Sequence, residues 1–156
     1  MIPERDRLIV LFEGAPRFID RLMDAAPYAD DDALLRAARE IAHAMPEAEQ
    51  IELIDAHPRL GAARTTMSRL SVREQGTDRD APGDLGARLA ALNDAYEARF
   101  GFRYCVFVAG RTREALLPGL EAALAAERPA ELERAIDAVI DIAIDRQSRL
   151  TREVAP

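Results

Sequence analysis

"PAELERAIDAVIDIAIDRQSRL", residues 129–150, holds one periodicity longer than any other stretch of the chain, and its reading decides the fold. Leu132, Ile136, Val139, Ile140 and Ala143 fall three and four residues apart, the spacing of one face of a helix. Working outward, "TREALLPGLEAALAAE" (112–127) opens on a plausible N-cap, Thr112, and carries Pro118, which predicts a kink. "DLGARLAALNDAYEARF" (84–100) lines up Leu85, Leu89, Leu92 and Tyr96, and Gly101 ends it. "DDDALLRAAREIAHAM" (30–45) has acids in its first turn and Leu34, Leu35, Ala38, Ile41 and Ala42 in one stripe. "PEAEQIELIDAH" (46–57) has proline at an expected first helical position and must stop at His57, because Pro58 disfavours helical geometry in the residue before it. "APRFIDRLMDAA" (15–26) is also read as helical, and "RLIVLFEG" (7–14) as a short apolar segment closed by Gly14. The expectation is an all-α protein, a single-domain helical bundle over residues 1–156.

Two stretches depart from this pattern. "FRYCVFVAG" (102–110) is a short apolar run bounded by glycines, read as extended chain or a buried turn. Residues 59–84 are rich in Gly, Arg, Thr, Asp and Pro, with one short helix candidate near Ser71. Neither flank could support a core of its own, so this stretch is expected to be one long irregular active-site loop, not a linker.

Composition narrows the chemistry. The 156 residues are enough for a core without staples. A formal net charge of −7 argues against general binding to nucleic acid or to an anionic membrane. The N-terminal apolar run is broken by charges after five residues, no segment is long enough to span a bilayer, and a cytoplasmic location is expected. One cysteine, Cys105, excludes an internal disulfide, and one cysteine with two histidines makes a zinc site improbable. All 21 basic residues are arginine, so Schiff-base chemistry on lysine is excluded. Arginine forks well onto carboxylates, which favours small anionic ligands.

Four constellations stand out. In "DAHPRLG" (55–61), His57 is followed by Pro58. A histidine at a helix end has an ordinary role beside the carbonyl end of the dipole. It also has a reference pKa of about 6.5, suited to proton transfer, and here its exit path is fixed by a proline. "SVREQ" (71–75) has the capping-box spacing Ser71-x-x-Glu74, with Gln75 adding an amide that both donates and accepts. "YEARFGFRYCVFVAG" (96–110) reads as a helix end followed by core, or as a place where backbone approaches a ligand at Gly101. Arg146 lies near the end of an apolar helix face, as a solvated dipole partner or a carboxylate clamp. His43, in an ordinary amphipathic helix, is read as structural.

Taken in order, "LIDAHPRLG", "SVREQ", "LAALNDAYEARFGFRYCVFVAGRT" and "AIDAVIDIAIDR" resemble the 2-oxo-4-hydroxy-4-carboxy-5-ureidoimidazoline (OHCU) decarboxylase family of urate catabolism, over roughly residues 5–152. The resemblance implies a cofactor-free and metal-free helical enzyme, a homodimer, acting on a small-molecule substrate and producing (S)-allantoin. It implies His57 as catalytic acid/base and Glu74 as the group that holds and polarises substrate. Pro58, Ser71, Gln75, Phe102 and Arg146 would line the substrate site. The chain departs from the family pattern at Gly76-Thr77, at Leu70 and at Arg146-Gln147. An Arg-Leu pair, Arg149-Leu150, follows one turn later, so either arginine fits the clamp. The alternatives are a non-catalytic ligand-binding module of the same fold and a decarboxylase of a related ureido compound.

Overall fold

The computed structural model of the chain describes residues 1–62, 73–74 and 83–155. Among these, seven helices and no strand are found: α1 Arg5–Phe12, α2 Pro16–Asp24, α3 Asp31–Ala44, α4 Glu47–Asp55, α5 Gly83–Phe100, α6 Arg113–Ala123 and α7 Arg128–Val154. The all-α expectation holds. The described residues group into two units, one of residues 1–56 and 136–156, the other of residues 57–135.

In the first unit, α2 packs against α1, α3 and α4. Its core is Leu8, Leu11, Phe12, Phe18, Ile19, Leu22, Leu34, Leu53, Ile54, Ile136, Val139 and Ile140, all essentially without solvent contact. Phe12 and Phe18 meet edge to face at 4.9 Å, the geometry that ring quadrupoles prefer. The short apolar segment read over residues 7–14 proves to be helical as far as Phe12. α1 closes through Glu13 and Gly14, both at positive φ (57° and 85°). The acids at the start of α3 divide the work. The Asp30 carboxylate accepts from the Ala33 N–H at 2.7 Å, so it is the N-cap, and Asp31 and Asp32 fill the first turn. Pro46 stands at the N-cap of α4 and not, as expected, at its first helical position, which is Glu47.

The second unit pairs α5 with α6. Leu60, Leu89, Tyr96, Phe100, Phe102, Tyr104, Leu116, Leu117, Leu120 and Leu132 are buried there. Gly101 ends α5 as read from the sequence: at φ 79° its N–H returns to the Glu97 carbonyl at 2.9 Å. Thr112 caps α6, its hydroxyl accepting from the Ala115 N–H at 3.1 Å, and Pro118 lies within the helix. Residues 102–108 form irregular, mostly buried chain, neither strand nor helix.

Candidate active site

α4 ends at Asp55, and the Ala56 N–H closes on the Glu52 carbonyl. The helix stops just before the His-Pro pair, as a proline at 58 requires. His57 is only 4% exposed. It is therefore no solvated dipole partner at a helix end but a buried imidazole on non-helical backbone.

The chain leaving His57 is tied to α5 at successive positions. The Arg59 guanidinium donates to Glu97 (Nε to Oε1, 3.0 Å) and to Asp94 (2.8 Å). These carboxylates, Glu97 foremost, hold Arg59 charged well beyond its ordinary range. The Asn93 amide donates to the Leu60 carbonyl at 3.0 Å, and Asn93 is itself buried. At Gly61, φ is +84° and a Cβ would come within 3.2 Å of Leu89. A side chain there would be strained by its backbone and crowded by α5. One more tie comes from the segment that follows α5: the Arg103 guanidinium donates to the His57 carbonyl at 3.2 Å.

Arg103 sits in the segment that follows Gly101, and that segment is held by aromatic packing and by α7. Tyr96, Phe100, Phe102 and Tyr104 form one ring cluster, with Tyr96 at 4.6, 5.8 and 5.1 Å from the other three. The Tyr96 hydroxyl donates to the Glu131 carboxylate at 2.6 Å. Burial and that carboxylate push the hydroxyl far up, so it remains a donor. Glu131 is 3% exposed and also takes Arg134 through Nε (2.8 Å) and Nη2 (2.6 Å). Arg134 stacks over Tyr104 at 4.9 Å and donates to the Cys105 carbonyl at 2.9 Å. Although burial disfavours its charge, Glu131 keeps the guanidinium firmly protonated. Arg128 lies over Phe102 and donates to the Phe100 carbonyl at 3.0 Å.

The other sequence candidates fall as follows. Pro58 is partly buried beside His57. Phe102 is 2% exposed and packed among rings, and the Gly101 N–H is already spent on Glu97. Glu74 is partly buried on helical backbone in the second unit. Ser71 and Gln75, with Leu70, Gly76 and Thr77, lie outside the described residues. Arg146 belongs to the first unit and is 1% exposed. Its guanidinium donates to the Val10 carbonyl at 2.9 Å and to Glu13 at 2.7 Å. α7 runs on to Val154, so Arg146 is not a solvated end-of-helix cation, and the carboxylate it engages in this structure is the chain's own Glu13. Arg149 pairs with Asp145 at 2.8 Å. His43 meets Asp137 at 2.8 Å, a structural role as expected.

Sequence reasoning missed Asn93, Arg103, Glu131 and Arg134. Asn93 and Tyr96 had a signal, as polar positions inside a helical stripe. Glu131 looked like an ordinary first-turn acid, and nothing local marks Arg103 or Arg134.

Fold and site together define an all-helical protein with a buried His-Pro corner braced by α5 and by an arginine from the segment after it. The OHCU decarboxylase family model matches residues 4–148, and the chain belongs to that family. It is 32% identical over 152 residues to the uric acid degradation bifunctional protein PucL of Bacillus subtilis, covering 95% of this chain and 30% of that protein. The chain thus spans less than a third of that relative. It is 30% identical to the 2-oxo-4-hydroxy-4-carboxy-5-ureidoimidazoline decarboxylase of Halalkalicoccus jeotgali, over 90% of this chain and 81% of the relative. A solved OHCU decarboxylase, crystallised in the presence of (S)-allantoin, superposes with a TM-score of 0.77 at 21% identity, covering 95% of this chain and 98% of its own, a likeness of fold.

Proposed function

We propose that the protein is a carboxy-lyase that decarboxylates 2-oxo-4-hydroxy-4-carboxy-5-ureidoimidazoline to (S)-allantoin in urate degradation. The observation that carries this reading is the family match over residues 4–148, with its His-Pro corner intact and His57 buried. Two relatives of this length class bear the name of that decarboxylase.

The chemistry suits the side chains available. Loss of carbon dioxide breaks a C–C bond and leaves an electron pair on the former carboxyl-bearing carbon. The substrate's own ring carbonyl and imine-like groups accept that pair. The protein must orient the carboxylate, stabilise the developing negative charge and return one proton to one face of the neighbouring ureido-bearing carbon, the stereocentre of allantoin, while the former carboxyl-bearing carbon becomes a ring carbonyl as its hydroxyl gives up a proton. His57 is the proposed proton donor and acceptor, and Glu74 the group that holds and polarises the substrate. A lysine-free chain agrees with a reaction that forms no Schiff base.

The test generates the labile substrate fresh from urate and follows optical activity. The wild type is expected to produce chiral allantoin rapidly. His57→Ala and Glu74→Gln, with circular dichroism unchanged, are expected to fall to the slow racemic background. Equal rates and a racemic product from all three proteins would overturn the assignment of this decarboxylation to the protein.

A further inference from the structure

The reading above assigns His57 its chemistry but not what keeps it in place. A buried imidazole on irregular backbone has no helical hydrogen-bond ladder to hold it. A reactive group displaced by about 1 Å loses up to a hundredfold in rate. The His57 carbonyl is held by Arg103 at 3.2 Å. Arg103 stands between Phe102 and Tyr104, whose rings pack on Tyr96. Two residues after Arg103, the Cys105 carbonyl is held by Arg134, which also covers Tyr104. Arg134 is fixed in turn by Glu131, and Glu131 by the Tyr96 hydroxyl.

We propose that Arg103 is a positioning residue for His57, and that Glu131, Arg134 and Tyr96 set the backbone from which Arg103 reaches it. This relay consists of side chains tying down carbonyls. Arg103 binds a main-chain oxygen, so it acts on where the imidazole sits and not on the substrate. Arg134 is suited to its place by its fork: Nε and Nη1, in one plane, serve Glu131 and the Cys105 carbonyl together while its face covers a ring. A lysine offers one ammonium and no plane.

The proposal rests on His57 being the acid/base group, so its test carries one readout that needs no turnover. The chain has two histidines, and His43→Gln leaves His57 as the sole imidazole. In that background, Arg103→Met is expected to shift and broaden the His57 ring resonance in a protein that still melts cooperatively. kcat falls about ten- to a hundredfold while KM stays within about twofold. Arg103→Lys, which keeps a donor, restores most of the resonance position and of kcat. Arg134→Lys and Tyr96→Phe, which trim the relay and leave the charge in place, move the same resonance to a smaller extent. Arg39→Met, which removes the α3 ion pairs to Asp137 and Asp141, leaves it unmoved.

A His57 resonance unchanged in Arg103→Met, or a shifted resonance with kcat unchanged, overturns the proposal. So does an Arg103→Lys protein as impaired as Arg103→Met. If the wild type shows no decarboxylation, the functional reading falls and the resonance alone decides whether Arg103 positions His57.

Discussion

α3 and the segment 102–111 both bury apolar side chains, yet they satisfy their backbones in opposite ways. α3 closes its own hydrogen bonds turn by turn and needs outside help only at its ends, where Asp30 caps the N-terminus and the Gln50 amide reaches the Ala42 and His43 carbonyls. The 102–111 segment has no ladder. Its carbonyls are met by arginines: Arg134 at Cys105, and Arg111 at Phe107 (2.6 Å) and Val108 (3.0 Å). Arg103 extends the same device to His57. Irregular chain enters a core only when side chains replace the missing ladder, because an unpaired buried carbonyl costs about 1–3 kcal/mol. The candidate site therefore lies where arginines bind the protein's own backbone.

The comparison breaks most sharply at Arg134. Arg134→Met strands the buried Glu131 carboxylate and frees the Cys105 carbonyl. A third of the Arg134 side chain meets solvent, which trims the loss through screening. The expected destabilisation is about 3 kcal/mol, measured by urea unfolding. Glu131→Gln in the same background is expected to recover part of it by removing the stranded charge. A self-sufficient helix should suffer less from losing its N-capping side chain: Asp30→Ala is expected to cost about 1 kcal/mol. If the two losses came out equal, the distinction between laddered and side-chain-supported backbone would fail.

The smallest effect is a matter of pH. Asp137 is partly buried, which raises its affinity for a proton, but hydrogen bonds from His43 and Arg39 outweigh that and hold the carboxyl below its ordinary value. Asp141, beside it, shares Arg39. A carboxyl depressed in the folded state adds stability at pH values above its unfolded pKa, and that stability fades as pH falls through the folded value. Stability of the wild type is therefore expected to decline from about pH 4 downwards. Asp137→Asn should flatten that decline slightly, as read by denaturant midpoints across the acid range.

Legibility in the sequence followed the same divide. α3, α5 and α7 were plain because their stripes repeat locally, and Thr112 and Gly101 carried their own stop and start chemistry. The His-Pro pair was legible as a helix exit, and Pro58 explains why α4 ends where it does. Arg146 was legible as unusual but not in its bonding. Its partners, Val10 and Glu13, are more than 130 positions away along the chain. The partners of Glu131 and Arg134 are likewise distant: Tyr96 lies 35 residues from Glu131, and Cys105 lies 29 from Arg134.

The sequence alone determined an all-helical chain, its family, and a histidine set on a rigid corner, because helix periodicity, capping and proline sterics act within a few residues. Only the tertiary structure decided that this histidine is buried, that Arg103 holds its carbonyl, and that Arg146 engages Glu13. Burial and charge pairing depend on which distant segments are brought together, and no local spacing records that.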